Sequence, residues 1–512
     1  MKIEDDIIDR DADDLAALGH KQELQRSFGI WSILAIGFTT ANTWTSIFGT
    51  LTNALQQGGI PTLVYGFIAV TVGQAFTALS LGEFAHAFPT AGGQYHWVAE
   101  LSQKKIRGPL SYVTMWLTIG CYIMLTCSAC VLVGQAFMGL QILANPQITS
   151  SANTIFWWSQ GVAIASAALN LFGMKIMPYW DNFGSELFLS GFGFIVTIIV
   201  IPAAGGIINS STYVFADFVN YTGWDSSLVV FMTGLISSTF GMAYLDAATH
   251  IAEEVPNPKK TVPLVMWTTV LVGFVTGFSF LLVVSFCMGD IATILTGPTG
   301  FPEFEIIRVA LGGGSTPNLG VSAGIFVLCV LNALVPIGPI PAMEQVCGRL
   351  IYALARDGGF PFASVFAHVD SRFNSPIAAQ LLSLVAVLVI NCLFLGSTNA
   401  FNALISASVL MGQLSCAIPA ALVLFCGRDK LPVKWITWGK FSIVPHVVSC
   451  LVALWYLAFF FLPYTLPVTV TNINYTAAIV GGFFVLMALL WIVVRILNGK
   501  PFEGPLHIIE KI

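Results

Sequence analysis

Asp246 and His250 stand four residues apart, and Glu253 and Glu254 follow closely. On a helix, residues four apart share a face. This carboxylate and imidazole can therefore meet and trade a proton near neutral pH. The same residue types also suit a cap that holds a helix end near water, the plainer role for Glu253 and Glu254. Glu186 sits in an apolar stretch with no Lys or Arg near it. It serves there either as a proton carrier or as a carboxylate bonded to a neighbouring helix. Asp246, His250 and Glu186 are thus the candidates for proton coupling. Glu83 and His86 end one apolar run and face a vestibule; Glu344 and Arg349 end another and read as structural. His20, His96, His368, His446 and His507 are scattered. No metal-ligand spacing or nucleophile–base set appears, so no catalytic site, metal or cofactor is expected, and no enzyme.

Uncharged polar residues form a second group. The run from Gly37 to Ser46 contains Thr39, Thr40, Asn42, Thr43, Thr45 and Ser46, and a similar run is Ser237-Ser238-Thr239-Phe240-Gly241. Both lie inside otherwise apolar stretches. Lipid offers no hydrogen bonds, so such runs must face protein or a water-filled cavity. Hydroxyls and glycine suit an interrupted helix whose freed backbone groups bind a solute, as in transporters built from inverted repeats. Close helix–helix packing through small residues is the alternative. Pro336, Pro339 and Pro341 predict a further distorted helix.

These residues must be held by elements that the composition identifies. Of 512 residues, 56% are hydrophobic and 9% are charged, against roughly 25% charged in soluble domains. With a mean hydropathy of +0.82, a soluble multidomain protein and a disordered chain are both excluded. An all-α polytopic membrane protein remains. A membrane helix needs about 20 mostly apolar residues. Twelve stretches qualify, numbered here as spans 1 to 12: 28–56, 59–87, 109–143, 154–172, 180–202, 227–250, 262–288, 319–343, 377–395, 398–426, 441–462 and 475–496. Spans 1 and 3 are too long for one crossing, so each is tilted, broken or overhanging.

Taking the loops as alternating sides, all Lys and Arg except Arg308 fall on the side of the N-terminus. The positive-inside rule then makes both termini cytoplasmic. The sequons at Asn209, Asn220 and Asn474 all fall outside. Asn209 and Asn220 are glycosylation candidates, whereas Asn474 lies too close to its helix. The first apolar run begins near Phe28 behind an acidic tail, unlike a cleavable signal peptide. The ten cysteines lie in or beside apolar runs and read as small buried side chains. No basic stripe points to nucleic acid.

Three segments carry a resemblance. Phe88-Pro89-Thr90-Ala91-Gly92-Gly93-Gln94-Tyr95-His96-Trp97 follows span 2, the run from Leu245 to Pro258 closes span 6, and Ala355-Arg356-Asp357-Gly358-Gly359-Phe360-Pro361 follows span 8. Thr222-Gly223-Trp224 and Asn42-Thr43-Trp44 fit the same pattern. Over about residues 27–495 the chain resembles the amino acid/choline transporter branch of the amino acid–polyamine–organocation superfamily, and most closely fungal GABA and choline permeases.

The resemblance implies a 5+5 inverted repeat with two additional helices. Its parts are an acidic cytoplasmic tail (1–27), a first repeat (28–202) and an extracellular loop (203–226). A second repeat (227–426), the added helices (427–496) and a C-terminal tail (497–512) follow. It further implies a plasma-membrane symporter that imports its substrate with protons by alternating access. Transferred residue by residue, the substrate site is Thr39, Thr40, Asn42, Trp44, Ser238, Phe240, Gly241 and Tyr244. A substrate carboxylate would sit against half-helix N-termini. An amine would meet helix-terminal carbonyls and Asp246, and a quaternary ammonium the faces of Trp44, Phe240 and Tyr244. The chain departs from the superfamily pattern in having Phe38, Thr39, Thr40 and Ala41 where many members carry glycines, and in lacking a Lys in span 5. Export of a fungal small metabolite, or nutrient sensing with little flux, are the alternatives on this scaffold.

Overall fold

The computed structural model describes residues 42–172, 186–203, 208–312, 319–370, 375–396, 399–469 and 472–505. Thr39, Thr40 and the acidic tail 1–27 lie outside the described residues. So do the side chains of Glu186, Glu253 and Glu254. Within the described residues the elements are helices, joined by loops with two isolated β-bridges. Ten helices among them are long and apolar enough to cross a membrane, and Ser190–Ala203 in span 5 is a shorter apolar segment. This is the all-α membrane architecture that the composition demands.

The centre of the molecule is the helix Lys104–Ala144 of span 3, whose most apolar window is wholly buried. At 1.5 Å per residue it is about 60 Å long, roughly twice the hydrocarbon thickness, and it runs unbroken. Spans 4, 8 and 10 pack against it, while span 2 packs along span 7. Thr476–Asn498 of span 12 is 22% buried in its apolar window, so its side chains face outward at the rim. All ten cysteines are free thiols.

Spans 1 and 6 are interrupted, and so is span 8. The described part of span 1 starts at Asn42 in the left-handed region (φ 39°), runs as the helix Thr43–Gly49, bends at Thr50 and continues as Leu51–Gln56. Asparagine tolerates that backbone better than most residues. Span 6 runs as Ser227–Gly234 and Ile236–Met242, passes through an extended Ala243, and turns at Tyr244 (φ 66°). It resumes as the 3-10 helix Leu245–Glu254. A left-handed tyrosine is a strained position, held here by a hydrogen bond between its hydroxyl and Ser408 Oγ at 2.8 Å. Gly241 explains how the two spans approach: a Cβ there would lie 2.6 Å from Ile47 Cγ1 and 3.0 Å from the Thr43 carbonyl. Ser237 Oγ adds a bond to the Thr50 carbonyl at 2.6 Å.

Span 8 is distorted where its prolines fall. The helix Leu319–Leu334 gives way to a 3-10 turn, Val335–Ile337, before Pro339–Arg356 resumes. Proline lacks the donor that an α-helix needs in its interior.

Candidate functional site

The interruption in span 6 places Asp246 in the first turn of the 3-10 helix, with 5% of its surface exposed. Three side chains from three elements converge on its carboxylate. Gln94 Nε2, from the helix Gln94–Leu101, donates to Oδ2 at 2.7 Å. Tyr122 of span 3 donates from its hydroxyl to Oδ1 at 3.4 Å. His250 Nε2 faces Oδ2 at 3.3 Å. The other imidazole nitrogen, Nδ1, lies 3.2 Å from the Ala91 carbonyl. A carbonyl only accepts, so Nδ1 carries a hydrogen. The contact between Nε2 and the carboxylate then holds one further proton, on the ring or on the carboxyl.

Around this cluster lies a cavity of about 20 Å³, lined among others by Gln74, Tyr244, Asp246, Gln413, Cys416 and Tyr456. One water needs roughly 10–15 Å³ measured this way, so the cavity takes a water and no larger solute. Its polar wall is tied together across spans 2, 10 and 11. Gln74 Nε2 donates to Tyr456 OH at 2.9 Å, and Gln413 Nε2 to the Ser449 carbonyl at 3.2 Å. Tyr244 is the ring of this wall that other aromatics back: Tyr122 lies 6.4 Å and Phe240 6.1 Å from it.

The residues expected to bind substrate divide into two sets. Phe240, Tyr244 and Asp246 come together. Trp44 is fully buried away from them: its indole N–H donates to Ser190 Oγ at 3.2 Å, and its ring packs on Phe194 and Phe280. Ser238 lies against span 2, where a Cβ on Gly66 would approach its Oγ to 3.9 Å. Gly241 is the contact point of the two broken spans. Among the described residues Asn42 Oδ1, Thr43 Oγ1 and Ser238 Oγ are buried with no hydrogen-bond partner, which leaves polar capacity at the junction. Asn209 Nδ2 donates to the carbonyls of Ser285 and Gly289, and Asn220 Nδ2 to that of Trp224. Glycosylation replaces one amide hydrogen, so at Asn209 one of the two bonds must be lost, whereas Asn220 keeps a hydrogen for its one.

Gln94, Tyr122, Gln74, Gln413, Ser408 and Tyr456 were not singled out for the site by residue type and spacing. Gln74 and Gln413 had a signal, since a carboxamide in mid-span needs a polar partner. Tyr122 had none, because a tyrosine in an apolar helix resembles ordinary core. Among the described residues no group of three or more His, Cys, Asp or Glu could hold a metal ion.

The model of the amino acid permease family matches residues 28–485. A choline transporter of Saccharomyces cerevisiae is 30% identical over 496 residues, covering 96% of this chain and 86% of that protein. A 7-keto 8-aminopelargonic acid transporter of the same yeast is 26% identical, covering 91% and 92%. The crystal structure of MhsT in complex with L-phenylalanine shares the fold, with a TM-score of 0.53 at 16% identity, covering 85% of this chain and 98% of MhsT.

Proposed function

The chain belongs to the amino acid permease family, and from that premise we propose that it is a proton-coupled importer of a small amine or amino acid, choline-like or GABA-like. The observation that carries this reading is Asp246 in the first turn of the inner half of span 6. A helix N-terminus attracts anions. Here a side-chain carboxylate already occupies that place, so the substrate presents its positive end. Tyr122, Phe240 and Tyr244 add aromatic faces, each worth about 0.5–2 kcal/mol to a desolvated cation. The similarity to a choline transporter supports the same end of the range.

The mechanism follows from volume and charge. A cavity of about 20 Å³ is closed to such a substrate, so spans 1 and 6 must part from their neighbours for it to enter, on one side of the membrane at a time. A cation that meets the Asp246 carboxylate while the His250 ring keeps the proton lets both cross together, which links the two fluxes in one direction. The lysine- and arginine-rich side is read as cytoplasmic, with both termini there, and the plasma membrane as the location. The bilayer is the partner, and nucleic acid is not.

The test is uptake of labelled choline, GABA, proline and lysine by permease-deficient yeast expressing the full chain. Choline or GABA should accumulate, faster in acidic medium and not at all with a protonophore. Accumulation of none of the four overturns the substrate reading, and indifference to acidity and protonophore overturns the coupling.

A further inference from the structure

We propose that Glu344, outside the substrate cavity, is a proton-binding carboxyl that loads and releases a proton during the transport cycle. Glu344 stands on Pro339–Arg356, just past the interruption in span 8, and only 4% of it is exposed. Its partners are neutral. Ser166 Oγ of span 4 donates to Oε2 at 2.8 Å, and Asn170 Nδ2, one turn along, approaches the same oxygen at 3.4 Å. Among the described residues Oε1 has no hydrogen-bond partner, and neither has Asn170 Oδ1. Among the described residues the thiols of Cys127 and Cys130 on span 3 and of Cys347 on its own helix feel its charge. Among the described residues no Lys, Arg or His side chain pairs with it.

Charge and hydrogen bonding agree on what is missing. A bare carboxylate buried among neutral groups is costly, and two orphaned acceptor oxygens on contacting residues ask for a donor. One proton on Oε1 answers both: it removes the charge and turns an acceptor into a donor. In the cycle the carboxylate takes a proton from hydronium on one side, forming the Oε1–H bond, and returns it to water on the other. No electrons move. Loss of the proton leaves a buried charge between spans 4 and 8 that only water can relieve. The protonation state therefore bears on how those two spans pack.

Coupling rests on the transporter reading above, whereas proton binding is tested without it. The probe is the infrared carbonyl stretch of neutral carboxylic acid, recorded across pH on the purified full chain in lipid nanodiscs. Near neutral pH the wild type should show a band that Glu344→Gln removes; superposable spectra overturn the proposal. Should that variant fold poorly, Ser166→Ala removes the bond to Oε2 and should shift the band. An unmoved band equally overturns the assignment. In proteoliposomes with labelled choline, Glu344→Gln should lose acid-driven accumulation and retain only choline-for-choline exchange. Undiminished accumulation sinks the role in coupling. Absence of choline transport by the wild type counts against the substrate reading, and the infrared band still decides Glu344.

Discussion

Glu83 and Glu344 are both glutamates on membrane helices, with 0% and 4% exposure, and their surroundings differ in one respect. Glu83 of span 2 meets a guanidinium and an imidazole. Arg428, just beyond span 10, reaches both its oxygens, with Nε to Oε2 at 3.2 Å. His446 of span 11 places Nε2 3.0 Å from Oε2. His446 Nδ1 in turn lies 2.7 Å from Ser80 Oγ, and Arg428 also donates to the Ile436 carbonyl. Glu344 meets a hydroxyl and an amide. Burial alone therefore does not assign a role to a membrane carboxylate. A carboxylate paired with a fixed guanidinium has its charge balanced in place and ties three spans together. One met by neutral donors is balanced by a mobile proton.

The largest expected effect tests the first half of this contrast. Arg428→Ala leaves Glu83 short of a cation, and removing one partner of a buried pair costs about 3–5 kcal/mol. Thermal unfolding of the purified protein should show it, and wild-type stability would mean that Glu83 is not held by that pair. Next comes the contrast itself. Glu83→Gln strands a guanidinium and an imidazole, whereas Glu344→Gln replaces a neutral acid by a neutral amide of similar shape. The first should destabilise by about 2 kcal/mol more than the second, given the price of a lone buried charge; equal losses would erase the distinction.

Asp246 stands between these cases, with one imidazole and two neutral donors. Asp246→Asn should cost stability within about 1 kcal/mol while lowering choline uptake roughly 10- to 100-fold, the value of a charge-assisted contact. Wild-type uptake at normal surface abundance would make Asp246 a purely structural cap. The smallest effect belongs to the exposed pair Lys434–Asp429, 2.6 Å apart. Lys434→Ala should leave unfolding unchanged, because water already screens both charges. A measurable loss there would show that ion pairs on this protein matter regardless of burial.

Ten of the twelve spans, and the breaks in spans 6 and 8, were legible because they are local. Gly59–Ala87 begins and ends where its apolar run does. The hydroxyl- and glycine-rich run at Ser237–Gly241 ends just before Ala243 and Tyr244, where span 6 leaves its helix. Pro336, Pro339 and Pro341 mark the distortion in span 8. Asp246 and His250 do meet, although the segment is a 3-10 helix. Trp44 reads as readily for a substrate contact as for core, because an aromatic side chain near a break serves either purpose until its neighbours are known. Its indole bond to Ser190, 146 positions away, belongs to the core.

Hydropathy, proline and glycine act over a few residues, so the membrane class, the helical stretches and the weak points in spans 1, 6 and 8 follow from the order of residues along the chain. The state of each buried acid does not. Glu83 and Glu344 are the same residue type at the ends of similar apolar runs, and Glu344 reads from its neighbours as merely structural. Arg428 lies 345 positions from Glu83 and His446 lies 363, while Ser166 lies 178 from Glu344. In a low-dielectric interior an ion's free energy is set by the few atoms that touch it. Packing brings those atoms from distant parts of the chain.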